Sequence, residues 1–186
     1  MASQSLLFAR NFFKHPKMLG SFIPSSPFLI KHLISQIDFS QAKVIVEYGP
    51  GVGTISQELL ERMSPDARLV LIEMNRDFVS FLKQELADPR VHVVHGSAEN
   101  VRSTLMSLGI DAADYIVSGI PYSTMPDGVR RKILSESKKA LSRNGQFLVY
   151  QFTRTVLPHL QVVFRSIRQD FELLNILPAR LFYCSH

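Results

Sequence analysis

Cysteine is almost absent: Cys184 is the sole example in 186 residues. No disulfide can form within the chain, and a lone thiol points to a reducing compartment. Long apolar runs are missing too. No stretch reaches the ~20 residues that a membrane-spanning helix needs. Leu6–Ala9 is too short for the apolar core of a secretion signal. His15, His32, His92, His95, His159 and His186 lack metal-ligand spacing, as do the carboxylates. No metal is expected. Repeats, low-complexity tracts and linkers are absent, so residues 1–186 read as one domain. Glycine is sparse at nine residues, yet Gly49, Gly51 and Gly53 fall within five positions.

What is present is a globular composition, 46% hydrophobic and 20% charged. The net charge is +5, but residues 41–101 carry nine acids against six Lys/Arg. That acidic stretch suits a cationic ligand, and the basic remainder suits a polyanionic surface. Solvated helix faces would give the same counts.

Short apolar runs mark strands at Lys43–Tyr48, Arg68–Glu73, Val91–His95, Asp114–Ser118 and Gln146–Phe152, then at Phe171–Leu177 and Arg180–Cys184. Helical spacing of apolar residues lies between them, over Thr54–Met63, Arg76–Leu86 and Gly128–Leu141. Strand–helix alternation predicts a mainly parallel sheet wrapped by helices. The last two runs are separated by only Pro178 and Ala179, too few for a parallel crossover, so they form an antiparallel pair. The expectation is seven strands with one reversed at the edge. Ser5–Leu19 and Ser26–Ile37 precede the sheet.

The stretch VIVEYGPGVGTIS, Val44–Ser56, runs from a strand through three glycines into a helix. Such a turn presents backbone N–H groups at a positive helix end. A dinucleotide site would want G-x-G-x-x-G, but Thr54 stands at the third glycine position. The acid before the turn, Glu47, suits an ammonium or sulfonium better than a pyrophosphate. The second strand ends in Glu73, 20 residues beyond Gly53, followed by Met74. Its carboxylate can accept two hydrogen bonds from a ribose diol. The third strand ends in HVVHGSAEN, whose Gly96–Glu99 turn can flank an adenine, and the fourth in VSGIPYSTMP. Four such turns at one carboxyl edge stand where open α/β sheets bind ligands.

At these residues the chain resembles the class I S-adenosylmethionine-dependent methyltransferases. EYGPGVG matches their first motif, Glu73 the acidic second, GSAEN the adenine-side third and SGIPY the fourth. The resemblance implies a Rossmann-like seven-stranded sheet, mainly parallel with the last strand antiparallel, and helices on both faces. It implies S-adenosylmethionine as cofactor, held by Glu47, Gly49, Gly51, Gly53, Glu73, Met74, Ser97, Ala98 and Ser118. Ser97 departs from the pattern, since an acid commonly faces the adenine amino group there. Ribosomal RNA adenine dimethyltransferases share E-x-G-P-G-x-G and x-x-x-P-Y. GSFIPSS (Gly20–Ser26), SGIP (Ser118–Pro121), STMP (Ser123–Pro126) and NILPARLF (Asn175–Phe182) look more like the bacterial phospholipid N-methyltransferases. Those convert phosphatidylethanolamine toward phosphatidylcholine. The RNA enzymes open their fourth motif with Asn or Asp where this chain has Ser118, and they carry a helical domain after the sheet where this chain stops at His186.

On that reading Tyr122 is the catalytic candidate, orienting the acceptor amine, relaying its proton or attracting the methylated ammonium. Packing beneath the cofactor fits the same position. The backbone carbonyls of Ser118–Ile120 are further candidates for pointing the amine at the methyl group. Lys17 and Arg180 are candidates for the lipid phosphate, and Arg180 can instead pair with a carboxylate. Leu6, Leu7, Phe8, Phe12, Phe13, Met18 and Leu19 interleave with Arg10, Lys14 and Lys17, so residues 1–19 read as a basic amphipathic helix. It would lie on an anionic membrane surface or close over the core as a lid. The expected partners are that surface and a phospholipid, with nucleic acid not expected. The expected location is cytoplasmic, at the inner face of the membrane. Two other classes stay open: an RNA adenine methyltransferase, and a non-catalytic S-adenosylmethionine-binding protein.

Overall fold

The computed structural model describes residues 25–175 and 177–186. A short first helix, α1 (Pro27–Ile34), begins where the Ser26 hydroxyl accepts the Leu29 N–H and Pro27 occupies the first turn. Alternation follows: β1 (Val44–Tyr48), α2 (Thr54–Arg62), β2 (Arg68–Glu73), α3 (Arg76–Glu85), β3 (Val91–His95), α4 (Val101–Ser107), β4 (Ala113–Ser118), α5 (Asp127–Ala140) and β5 (Leu141–Gln151). The chain ends with α6 (Leu157–Val163), β6 (Ser166–Glu172) and β7 (Ala179–Ser185).

The seven strands form one sheet in the order β3-β2-β1-β4-β5-β7-β6. All neighbours from β3 to β5 pair in parallel, and β7 is antiparallel to both β5 and β6. Strand β1 is buried at all five positions because it is central and covered on both faces, which its unbroken VIVEY pattern requires. One apolar layer joins Leu29, Leu33, Ile45, Leu59, Leu82 and Leu148 beneath α1–α3. The other joins Val46, Tyr48, Leu105, Leu134, Phe147 and Val149 beneath α4–α6. Each such side chain contributes about 1.5–3 kcal/mol on burial.

Three expectations need correction. The reversed strand is not at the edge; β7 sits between β5 and β6. The sixth strand is Ser166–Glu172, not Phe171–Leu177, and Leu173–Pro178 connect it to β7. An edge strand pairs on one side only and tolerates a polar face, so SIRQDFE can form it while Leu173 and Leu174 stay exposed in the connection. Helices α4 and α6 were not anticipated, and β5 begins at Leu141 rather than Gln146. Residues 1–19 lie outside the described residues. Among the described residues no helix is long and apolar enough to cross a membrane.

The strand order reverses between β1 and β4. Their following turns therefore diverge, and a crevice opens at the carboxyl edge.

Candidate active site

That crevice is a cavity of about 550 Å³, within the range of small-molecule sites. Five turns at the carboxyl edge wall it: Gly49 and Gly51 after β1, Glu73 and Met74 at β2, Ser97–Glu99 after β3, Gly119–Pro121 after β4, and Tyr150–Thr153 at β5.

The glycine turn is shaped by two demands. Gly51 has φ +59°, and a Cβ there would meet nothing within 4 Å, so its missing side chain leaves open space for a ligand to approach. Gly53 has φ +78°, and a Cβ there would lie 2.8 Å from Leu82, so it serves close packing of the turn on α3. Gly49 lines the cavity and donates its N–H to the Ile72 carbonyl at 2.9 Å. Gly53 does not reach the cavity.

Glu73 is 8% exposed. One of its oxygens accepts the Gly51 N–H at 3.1 Å and the other the Asn75 N–H at 2.8 Å. Burial pushes its pKa up, while the N–H groups of Asn75, Gly51 and Met74 pull it back. The carboxylate keeps acceptor capacity beyond these N–H groups and lines the cavity, so it can accept a hydroxyl there. Met74 is exposed beside it. Ser97 caps the next turn: its hydroxyl accepts the Glu99 N–H at 3.2 Å and donates to the Glu99 carboxylate at 3.3 Å. Buried Ala98 completes that wall.

Glu47 lies behind the glycine turn and not on the cavity wall. It is 3% exposed and accepts the Ser56 hydroxyl at 2.6 Å. Burial, with the Glu73 charge adding to it, raises its pKa from 4.5 to about 7.

Two expected residues are elsewhere. Ser118 and Tyr122 are both fully buried, and their hydroxyls bond each other at 2.9 Å behind the cavity wall. Burial raises the Tyr122 phenol well above its ordinary value, although Ser118 opposes this. A phenol so placed is engaged with Ser118 and does not line the cavity. Tyr122 is a core residue of the turn, the packing position that the sequence reading set beside the catalytic one. The Ile120 carbonyl is committed as well, accepting from Tyr122 N at 2.9 Å and from Gln151 Nε2 at 2.8 Å. Arg180 is half-buried off the cavity, stacked 5.1 Å from the Phe171 ring centroid. It forms no ion pair among the described residues. Lys17 lies outside the described residues.

Sequence reasoning missed Tyr150 and Gln151, which line the cavity beside Gly119. A Cβ on Gly119 would lie 2.0 Å from the Tyr150 hydroxyl, so that phenol fills the space a side chain at position 119 would take. The available signal was the polar Gln151 directly after the apolar Phe147–Tyr150 run at the tip of β5. Among the described residues no cluster of His, Cys, Asp or Glu can hold a metal.

A ribose-ready carboxylate, an open glycine turn and a capped third turn around one crevice define a nucleoside-binding α/β enzyme of the S-adenosylmethionine-dependent methyltransferase class. The fold agrees: a methyltransferase from Geobacter sulfurreducens matches with a TM-score of 0.65 at 16% identity, over 98% of this chain and 90% of that one. PigF with SAH matches with a TM-score of 0.64 at 16% identity, over 86% and 55%. Residues 12–159 match the family model for ribosomal RNA adenine dimethylase. The chain belongs to that family of S-adenosylmethionine-dependent methyltransferases. It is 32% identical over 180 residues to the ornithine lipid N-methyltransferase of Singulisphaera acidiphila, covering 96% of this chain and 94% of that protein. It is also 28% identical over 111 residues to the ribosomal RNA small subunit methyltransferase A of Clostridium perfringens. That match covers 59% of this chain but 38% of the relative.

Proposed function

We propose that this methyltransferase acts on the amine of a membrane aminolipid, namely phosphatidylethanolamine and its methylated intermediates toward phosphatidylcholine. The observation that carries the proposal is the likeness along nearly the whole chain to a lipid N-methyltransferase. Two features of the site support it. Position 118 carries a serine whose hydroxyl is bonded to Tyr122 in the core, so the fourth motif offers no side-chain amide or carboxylate at that position to an adenine. Among the described residues Arg180 keeps a guanidinium free of carboxylates at the carboxyl edge, where a lipid phosphate can meet it. Leu173, Leu174 and Leu177 are exposed at the β6–β7 tip on that same edge. In this reading Lys17 and the basic N-terminal segment hold the protein on anionic lipid at the inner face of the membrane.

The bound cofactor supplies an activated methyl group and its own leaving group. The chain supplies position and a dry cavity. Glu73 and the Gly51 turn fix the nucleoside end. Gly119–Pro121 and Gln151 form the wall where the acceptor enters. A lipid amine is mostly protonated at neutral pH and reacts only as the free base, so its proton leaves to water before transfer. Activity should rise steeply between about pH 7 and 9.

The test is incubation with methyl-labelled cofactor, vesicles of phosphatidylethanolamine with phosphatidylglycerol, vesicles of ornithine lipid, and ribosomal RNA in separate reactions. Label in phosphatidylethanolamine supports the proposal. Label in ornithine lipid alone reassigns the headgroup. Label in RNA alone replaces the proposal with adenine methylation, which the family match over residues 12–159 favours.

A further inference from the structure

Gln151 stands at the tip of β5 with its side chain on the cavity wall, 7% exposed. Both amide hydrogens are committed: Nε2 donates to the Ile120 carbonyl at 2.8 Å and to the Tyr150 carbonyl at 2.7 Å. That pairing fixes which way the amide faces, because the flipped amide would set its oxygen against two carbonyl oxygens. The oxygen Oε1 has no hydrogen bond to any described residue. It is also not among the buried atoms left without a partner, so it is open to the cavity. A side-chain acceptor is thus held rigidly in place with its own lone pairs unused.

Three other acceptors near the fourth turn and the glycine turn are already engaged. Both lone pairs of the Ile120 carbonyl are taken by Tyr122 N and Gln151 Nε2. The Ser118 hydroxyl is bonded to Tyr122 inside the core. Glu73 is turned to the Gly51 and Asn75 N–H groups.

We infer that the Gln151 side-chain oxygen accepts an N–H of the substrate amine and aims its lone pair at the methyl group. The inference rests on the aminolipid reading above. An amide oxygen suits the task because it is uncharged. A carboxylate in its place would favour the ammonium and hold the nucleophile protonated. In the step itself the nitrogen lone pair forms the N–C bond while the C–S bond of the sulfonium breaks and its electron pair returns to sulfur. The product is the N-methylated ammonium and S-adenosylhomocysteine, and the ammonium then gives a proton to water. A neutral primary amine has two N–H groups and a neutral secondary amine has one. A tertiary amine has none, so its methylation cannot use the Gln151 oxygen.

That difference supplies the test. Gln151→Met keeps the side-chain length and removes the hydrogen bonds. Wild type and variant are assayed on vesicles of phosphatidylethanolamine, monomethyl-phosphatidylethanolamine and dimethyl-phosphatidylethanolamine, each with phosphatidylglycerol. S-adenosylhomocysteine affinity is measured by calorimetry. The expected result is a kcat lower by tenfold or more on the first two lipids and within about threefold of wild type on the third, with cofactor product affinity within about twofold. Equal slowing on all three lipids, or no slowing, overturns the inference, since a role confined to holding the Ile120 turn does not distinguish them. Gln151→Glu guards against a variant that folds poorly: the acidic limb of its kcat/KM profile should move to higher pH, and an unmoved limb counts against the inference. Failure of the wild type on all three lipids would remove the aminolipid reading and this inference with it, before any variant is compared.

Discussion

Replacing Glu47 by Gln should stabilise the protein, and by more at high pH than at low. The carboxyl lies beneath the glycine turn with the Ser56 hydroxyl as its hydrogen-bond partner and, among the described residues, no cation beside it. Its pKa of about 7 in the fold stands against 4.5 for the unfolded chain. Between those values the native state binds the extra proton, so stability falls as pH rises across the window. At pH 8 both states are ionised, and the buried charge costs about 3 kcal/mol, from roughly 1.4 kcal/mol per unit. At pH 5 the cost is about 1 kcal/mol. Glutamine keeps the size and an acceptor for Ser56 without the charge, so the gain over wild type should be about 2 kcal/mol larger at pH 8 than at pH 5. For a chain of this length that difference is a relative Tm increase of roughly 4–8 °C. Thermal unfolding of both proteins at the two pH values, without cofactor, measures it. A gain that is the same at both would show that the Glu47 carboxyl is not held near neutrality and would refute the reasoning.

Glu73→Ala should weaken S-adenosylhomocysteine binding by about 10–150-fold, the equivalent of ~1.5–3 kcal/mol for a charge-assisted contact; calorimetry checks this, with circular dichroism unchanged. Gly119→Ala should abolish methyl transfer, because the added Cβ overlaps the Tyr150 ring and the wall must move; activity should fall by far more than Tm. His32 bridges Asp170 at 2.9 Å and Glu172 at 3.1 Å. Burial lowers its pKa, but the bonds to the two carboxylates outweigh that and raise it above 6.5. Its stabilisation is therefore full below pH 6.5 and lost as pH climbs through the raised value, so His32→Ala should lower Tm more at pH 5.5 than at pH 8.5. Deleting residues 1–18 should abolish flotation with anionic vesicles and leave cofactor binding intact; equal flotation of the truncated chain would assign the segment to a lid.

Most of the glycine-turn side of the cavity was readable from sequence because backbone demands leave a residue signature there. Gly51 and Glu73 sit at fixed offsets from strands whose apolar pattern is strong, so their place at the carboxyl edge follows from topology alone. Strand β6 was misplaced for the opposite reason. Its polar SIRQDFE run has no period-two apolar face, and the apolar Leu173, Leu174 and Leu177 beyond it drew the boundary toward the exposed turn. On the fourth turn the residue that faces the cavity lies one step beyond Ser118. Successive side chains of a strand point to opposite faces, so the position that faces the cavity cannot be chosen without knowing where the strand ends. Ser118 is the last residue of β4 and follows Ile116 into the layer where Tyr122 returns to meet it. Gly119, one step on, faces the cavity, and the Tyr150 phenol from the neighbouring strand fills its missing side chain. The group that fills the cavity wall at Gly119 thus comes from position 150, with Gln151 beside it, about thirty residues from the fourth-turn motif. No pattern within SGIPY carries that information, because it arises from the register Ser118↔Val149 between β4 and β5. The fourth turn and the end of the fifth strand must therefore be read together as one wall. A substitution at Tyr150 or Gln151 should alter acceptor chemistry more than any at Tyr122.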